Sequence, residues 1–238
     1  MSKPHYFQIA IDGPVAAGKG TVSRLVAERL QFLYVDTGAM YRVTAFLALC
    51  NDIDYKDTES VVKILQKTQI EMRNPTLAEL DGRLTTVLVD SEDVSWKIRT
   101  EAVGNGASQV AQIKEVREIL VEKQQIIANS QNVVMEGRDI TYRVLPDAQL
   151  KIYLTGKDFV RANRRHLQLQ MRGHDVTFDE VFIDLKDRDH LDMTRATDPL
   201  QIVPDAWVLD TSDLMIQQVV EMIVSKANVM MQVYKSEN

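Results

Sequence analysis

Five short apolar runs recur along the chain: Phe7 to Asp12, Phe32 to Asp36, Asn132 to Glu136, Leu150 to Thr155 and Ala206 to Asp210. Near-continuous hydrophobicity over so few residues predicts strands buried on both faces, and helical patterns separate most of them. The expected fold class is therefore α/β, a five-stranded parallel sheet flanked by helices. Sheets of this kind bind ligands at the carboxyl ends of their strands. Three of the predicted strands, ending at Asp12, Asp36 and Glu136, run straight into segments rich in glycine and charge.

Roughly a hundred residues separate the second strand from the third, far more than one crossover helix needs, which predicts an inserted subdomain. Within it Ile70 to Arg73, Leu84 to Val89 and Glu92 to Ile98 read as short strands of a small antiparallel sheet, with Asp81-Gly82 as a turn. The pattern turns helical again from Val103 to Ala128. An amphipathic helix is predicted from Leu214 to Tyr234, with Met215, Met222, Met230 and Met231 as packing residues. The 238 residues thus divide into a core (1–36, 129–160 and 200–238), an inserted region (37–128, β-rich at about 69–99) and a further helical region at about 161–195.

The segment Gly13-Pro14-Val15-Ala16-Ala17-Gly18-Lys19-Gly20-Thr21 follows the first strand and opens a helix whose apolar positions are Val22, Leu25, Val26 and Leu30. It reads as a phosphate-binding loop. Its bracketing glycines let successive backbone N–H groups turn inward, and Lys19 adds an ammonium where β- and γ-phosphates lie. Many nucleotide hydrolases place Ser or Thr directly after the lysine to ligate magnesium, whereas here Gly20 intervenes and the hydroxyl moves to Thr21. The expectation is Mg2+ carried by nucleotide phosphates, reached by Thr21 through water, with no dedicated protein-only metal site. A Gly-Lys-Gly-Thr ending is closer to small nucleoside-monophosphate kinases than to GTPases, and no Asn-Lys-x-Asp guanine motif is present.

Composition narrows the partners. A formal net charge of −6 argues against a nucleic-acid-coating protein. No run approaches the ~18 apolar residues of a membrane span, and residues 1–12 lack a signal-peptide pattern, so a cytoplasmic chain is expected. The one cysteine, Cys50, excludes an intramolecular disulfide and is expected to pack among Leu47, Ala48 and Leu49. The four histidines show no zinc spacing.

Two strand ends carry a glycine with an arginine nearby: Asp36-Thr37-Gly38-Ala39-Met40-Tyr41-Arg42 and Met135-Glu136-Gly137-Arg138-Asp139. An arginine there can fork onto a phosphate, held in direction by the strand. Farther on, Arg161, Arg164 and Arg165 fall at helical spacing and read as a basic face, followed by Arg172 and Gly173. Arg188, Asp192 and Arg195 share a second helical face, beside Asp189. Gly173-His174-Asp175 between the two reads as the hinge of a lid.

Taken in order, these landmarks resemble bacterial cytidylate kinases over nearly the whole length. The series continues through Ile98-Arg99-Thr100-Glu101, Ala107-Ser108-Gln109-Val110-Ala111, Val116-Arg117-Glu118, Pro146-Asp147-Ala148 and Pro199-Leu200. The resemblance implies a P-loop NTPase fold, a nucleoside-monophosphate-binding insert at 37–128 and a short lid at about 161–195. It implies transfer of the γ-phosphoryl group of ATP to CMP or dCMP with Mg2+, in a chain that is a monomer. It further implies that Ser108, Arg117 and Asp139 read cytosine, that Thr37, Tyr41 and Arg42 hold the acceptor, and that Arg42 and Arg138 meet its phosphate. Arg188 and Asp192 would approach the sugar and the transfer point, and Arg195 a phosphate. Lys19, Arg138, Arg188 and Arg195 are then the catalytic candidates. Another P-loop small-molecule kinase and a non-catalytic ATP-binding module are the alternatives. One departure stands out: where the family continues Gly-Thr after Gly137-Arg138-Asp139-Ile140, this chain has Thr141-Tyr142-Arg143. If that position needs a positive φ, Thr141 is expected to strain the loop.

Overall fold

A computed structural model describes residues 5–237; residues 1–4 and 238, which the predicted core spans include, lie outside it. Strands β1 (Gln8–Asp12), β2 (Leu33–Asp36), β6 (Val133–Gly137), β7 (Leu150–Thr155) and β8 (Trp207–Asp210) form the parallel sheet, ordered β2-β6-β1-β7-β8. Each lies within one residue of its predicted run. The register sets Asp12 beside Gly137 and Asp36 beside Glu136, so the three chemistry-bearing strand ends are neighbours.

Alternation along β1 explains the two cores. Ile9 and Ile11 face one side with Val26, Phe32, Ile152, Val220 and Ile223, under helices α1 (Lys19–Leu30) and α8 (Ile216–Glu237). Ala10 faces the other with Val35, Met40, Val43, Leu120 and Met135, under α2 (Thr37–Cys50), α3 (Thr58–Lys67) and α5 (Lys114–Ala128). Burial on both faces is what the unbroken apolar runs required.

The insert carries the antiparallel sheet β3 (Ile70–Arg73), β4 (Thr86–Val89) and β5 (Glu92–Asp93). Its last strand is shorter than predicted, because a 3-10 turn takes over at Lys97–Arg99. The tight hairpin turn is Asp90-Ser91, whose φ values of 48° and 70° suit a two-residue connection. Asp81-Gly82 does bend, with Gly82 at φ 94°, but inside a longer connection that holds a 3-10 turn at Leu77–Glu79. The predicted helical stretch 103–128 is two helices, α4 (Glu101–Val110) and α5.

Two packing expectations are corrected. Cys50 ends α2 and is exposed, with Leu49 48% exposed beside it; the helix buries Ala48 instead. Met230 and Met231 pack against the α1–α8 core, but Met215 and Met222 are 69% and 40% exposed. Met215 precedes the helix, and α8 buries the face formed by Val219, Val220, Ile223, Val224 and Ala227. The predicted lid is the helix pair α6 (Asp158–Met171) and α7 (Phe178–Thr194), joined through Gly173 at φ 80° and capped by Thr177 and Glu180.

Candidate active site

The loop after β1 has the geometry its sequence demands. Gly13 sits at φ 154°, where an added Cβ would lie 2.0 Å from the carbonyl oxygen of Leu154, so no other residue fits. Gly18, at φ 92°, opens α1, whose first turn holds no acidic residue; its N-terminal dipole is left for an anion. The Lys19 ammonium folds back to donate to the carbonyls of Gly13 (2.7 Å) and Pro14 (2.8 Å). Burial, and then the Arg138 cation, pull Lys19 down to about 7.

Gly20 has a steric reason. A Cβ there would stand 3.0 Å from Glu136 Oε1 and 3.5 Å from the Tyr34 hydroxyl, which itself donates to Glu136 at 2.8 Å. A side chain directly after the lysine would press on this carboxylate from its Cβ, and the loop's hydroxyl stands one residue later, on exposed Thr21. Burial pushes the Glu136 carboxyl up, opposed by Lys19 and Arg138.

The loop is braced from the helix pair. Val15 N donates to Asp189 Oδ1 (3.0 Å), and Arg161 donates to the carbonyls of Val15 (2.7 Å) and Gly156 (2.9 Å) while pairing with Asp189 at 2.6 Å. Arg161 is 3% exposed. The expected basic face at 161–165 is therefore divided: Arg161 points into the protein, Arg164 donates to the Thr211 carbonyl (2.6 Å) and hydroxyl (2.9 Å), and Arg165 donates to Gln168. Helical spacing says which residues share a face, not which way that face turns.

Across the crevice, Thr37 donates to the Glu136 carbonyl (2.8 Å) at the junction of β2 and α2, and Arg138 pairs with Asp192 on α7 (2.5 Å). Arg42 donates to the Ile98 carbonyl (3.3 Å). Its pKa is lowered, first by burial and then by Arg99, with Arg188 and Arg165 adding to it; Arg165 is lowered likewise, by burial and then by Arg188. These arginines, from α2, the turn at Lys97–Arg99 and the α6–α7 pair, stand close enough to oppose one another's charge, with Asp36 and Asp184 acting the other way. Among the described residues Arg188 pairs with Asp184 on its own helix (3.2 Å), and it is half exposed. Arg99, bound to Asp36 at 2.9 Å, is a member that strand-end patterns did not single out.

The far end is a buried pair. Arg117, on α5, is 2% exposed, lies 5.7 Å from the Tyr41 ring centre, and bonds to Asp139 and, through Nε, to Asp198 (3.0 Å). Burial raises Asp139 to about 6 despite Arg117 and Arg195. Arg195 lies 3.7 Å from Asp139 and donates to the Asp198 carbonyl, so in this structure it stands with the Arg117 pair. Ser108 is exposed on α4. Asp198 went unremarked in the sequence; no spacing flags it, and its αL backbone, φ 47°, is visible only in the fold.

The Thr141 strain does not arise. Thr141 is not among the positive-φ residues; residues Ile140–Val144 make one wide π-type turn, closed by Leu145 N to Ile140 O (2.8 Å). Asp12 at the end of β1 accepts from the N–H groups of Ile140 (2.9 Å) and Thr141 (2.8 Å), and from the Thr141 hydroxyl (2.7 Å). The extra side chain is thus absorbed as a third bond to a buried carboxylate. Tyr142 donates to the Pro199 carbonyl (2.6 Å), and Arg143 stands 3.7 Å from Asp198.

The profile of the cytidylate kinase family matches residues 9–229. The chain belongs to the cytidylate kinase family. It is 44% identical to the cytidylate kinase of Caldicellulosiruptor bescii over 91% of this chain and 93% of that one. It is 46% identical to that of Caldanaerobacter subterraneus subsp. tengcongensis, over 91% and 92%. Among solved structures, an uncharacterized protein from Eubacterium ventriosum superposes with a TM-score of 0.53 at 10% identity, covering 93% of this chain and 98% of the other, a likeness of fold alone. Membership of the cytidylate kinase family agrees with the phosphate loop, the arginine-lined crevice and the buried Arg117–Asp139 pair.

Proposed function

We propose that this chain transfers the γ-phosphoryl group of ATP to CMP or dCMP, giving ADP and CDP or dCDP. The observation that carries this reading is the distribution of charge: an anion-binding loop at one end of the crevice, converging arginines between, and a buried carboxylate–guanidinium pair at the other end. The sheet (1–36, 129–160 and 200–238) is the core, 37–128 holds the acceptor, and about 161–195 closes as the lid, acting as a cytoplasmic monomer on free nucleotides. No helix among the described residues is long and apolar enough to cross a membrane.

Cytosine presents an amine at N4 and acceptors at N3 and O2. Asp139 accepts from the amine, and Arg117 with the Ser108 hydroxyl donates to the acceptors. Uracil would turn a carbonyl toward Asp139, leaving buried polar groups unpaired, and such mismatches cost as much as ~10⁴-fold in discrimination. Thr37, Tyr41 and Arg42 position the nucleotide, Arg42 and Arg138 its phosphate, and Arg188 and Asp192 the sugar side.

Transfer itself is positioning and electrostatics. An oxygen of the acceptor phosphate, already ionised, attacks the γ-phosphorus in line, so no general base is needed. The loop N–H groups of residues 13–21 and Lys19 hold the donor phosphates, and Arg138, Arg188 and Arg195 offset charge that moves during transfer. Closure of the lid excludes water as a competing acceptor. Among the described residues no group of acidic, histidine or cysteine side chains could hold a metal alone. The oxygen donors beside the loop, Thr21 and Glu136, suit a Mg2+ that arrives on the nucleotide, where it supplies charge neutralisation.

ADP release with Mg-ATP and CMP, dCMP, UMP, AMP or GMP, each product identified by chromatography, tests the reading. Preferred conversion of CMP and dCMP is expected. Preference for another monophosphate would overturn the base assignment, and transfer to none would overturn the kinase reading.

A further inference from the structure

The Arg117–Asp139 pair poses a problem of its own. In the described state Asp139 holds Arg117 through Oδ2, while its Oδ1 stands 3.7 Å from Arg195; a cytosine amine must draw on this same carboxylate, which weakens its hold on the arginine. Arg117 is almost wholly buried, and a buried guanidinium that loses its carboxylate is strongly destabilised. A second anion on the arginine offsets the charge that Asp139 then shares with the base.

Asp198 supplies that anion by position. Its Oδ2 accepts from Arg117 Nε at 3.0 Å, side by side with the Nη2 that meets Asp139, so the two carboxylates share one edge of the guanidinium. It belongs to neither α5 nor β6 but to the segment leaving α7. It is held there by Arg195, which donates to its carbonyl, and its neighbour Pro199 is tied by the Tyr142 hydroxyl. Arg143 faces the other carboxylate oxygen at 3.7 Å. The residues that depart from the family pattern, Tyr142 and Arg143, are thus the ones that contact the Asp198–Pro199 segment.

We propose that Asp198 is a positioning residue for base recognition: it keeps Arg117 neutralised and oriented over Tyr41 while Asp139 is shared between the arginine and the base amine. The inference rests on the reading of Arg117 and Asp139 as the cytosine-reading pair. Because Asp198 stands in the short segment just beyond α7, which ends at Thr194, it also makes the base end of the site depend on where that helix ends.

The backbone of Asp198 is left-handed, so Asp198→Asn and Asp198→Gly, both at ease there, separate loss of the carboxylate from backbone strain. Steady-state kinetics with CMP and UMP, alongside Tm, would be measured for both variants and for Asp139→Asn. Both Asp198 variants are expected to raise KM for CMP about tenfold or more, the scale of a charge-assisted hydrogen bond. KM for ATP is expected to stay near wild type, kcat to change far less than KM, and CMP/UMP discrimination to fall. An unchanged KM for CMP while Asp139→Asn raises it would overturn the role of Asp198 and leave the base reading standing. No effect from Asp139→Asn either would overturn the base reading, and the inference with it. Equal losses with ATP and CMP together with a lower Tm would reduce Asp198 to a structural part and overturn the proposal.

Discussion

Replacing Arg161 by methionine separates a structural brace from a lid arginine. The side chain is 3% exposed, and its partners are the Val15 and Gly156 carbonyls and the carboxylates of Asp158 and Asp189. Asp158 is substantially solvated, so its share is small. Asp189 is not: at 7% exposure it would keep only the Val15 N–H as partner. Breaking a buried pair from one side costs about 3–5 kcal/mol, because the stranded charge remains. For a chain of this size, each kcal/mol lowers Tm by about 2–4 °C, so Arg161→Met is expected to lower Tm by about 6–20 °C. Adding Asp189→Asn removes the stranded charge and keeps an acceptor for Val15 N–H, so the double variant is expected to recover most of the loss. Differential scanning calorimetry on wild type, both single variants and the double variant supplies the cycle. A Tm within about 2 °C of wild type, with a large loss of kcat, would refute the brace and return Arg161 to the transferring phosphates.

Other outcomes follow from the same geometry. Lys19→Ala removes the loop ammonium, so kcat is expected to fall roughly 10²- to 10³-fold with the circular dichroism of the fold retained; near-normal turnover would sink the phosphate-loop role. Asp139 sits at about 6 without ligand, and an amine partner lowers it, so cytidine affinity is expected to be full above that pH and to fall as pH drops through it. Calorimetric titration with cytidine, which has no phosphate to ionise, reads that limb, and Asp139→Asn should flatten it. A Cβ on Gly106 would lie 2.4 Å from the Tyr55 hydroxyl, so Gly106→Ala is expected to cost about 1–3 kcal/mol in urea unfolding. Pairing it with Tyr55→Ser should restore most of that.

The five strands were legible because burial on both faces leaves unbroken apolar runs, and the phosphate loop because its glycines answer to backbone geometry. What escaped was orientation and long-range pairing. Arg161 and Arg165 occupy one turn of helix in the sequence, yet one is buried against Asp189 and the other is not. Asp198 acquires its meaning from Arg117, far away in the chain, and Arg99 from Asp36. Thr141 looked costly only while its dihedral was unknown; a buried Asp12 gave its hydroxyl a partner. Cys50 and Met215 sat in apolar company that the fold leaves facing water.

The junction at Asp36-Thr37 has a mechanical side. β2 passes into α2 with no intervening linker, and α4 lies along α2 closely enough that a Cβ on Gly104 would come 3.1 Å from the Arg42 guanidinium. The two helices are therefore one stiff arm, clamped at its root to the edge strand β2 of the sheet. At ~1.5 Å per residue α2 is about 21 Å long, so a swing of about 10° at the root carries its tip through roughly 4 Å. Arg42 rides about a third of the way along the arm and the exposed Cys50 at its tip, so a reporter group on that thiol would magnify a displacement at Arg42 about two- to threefold.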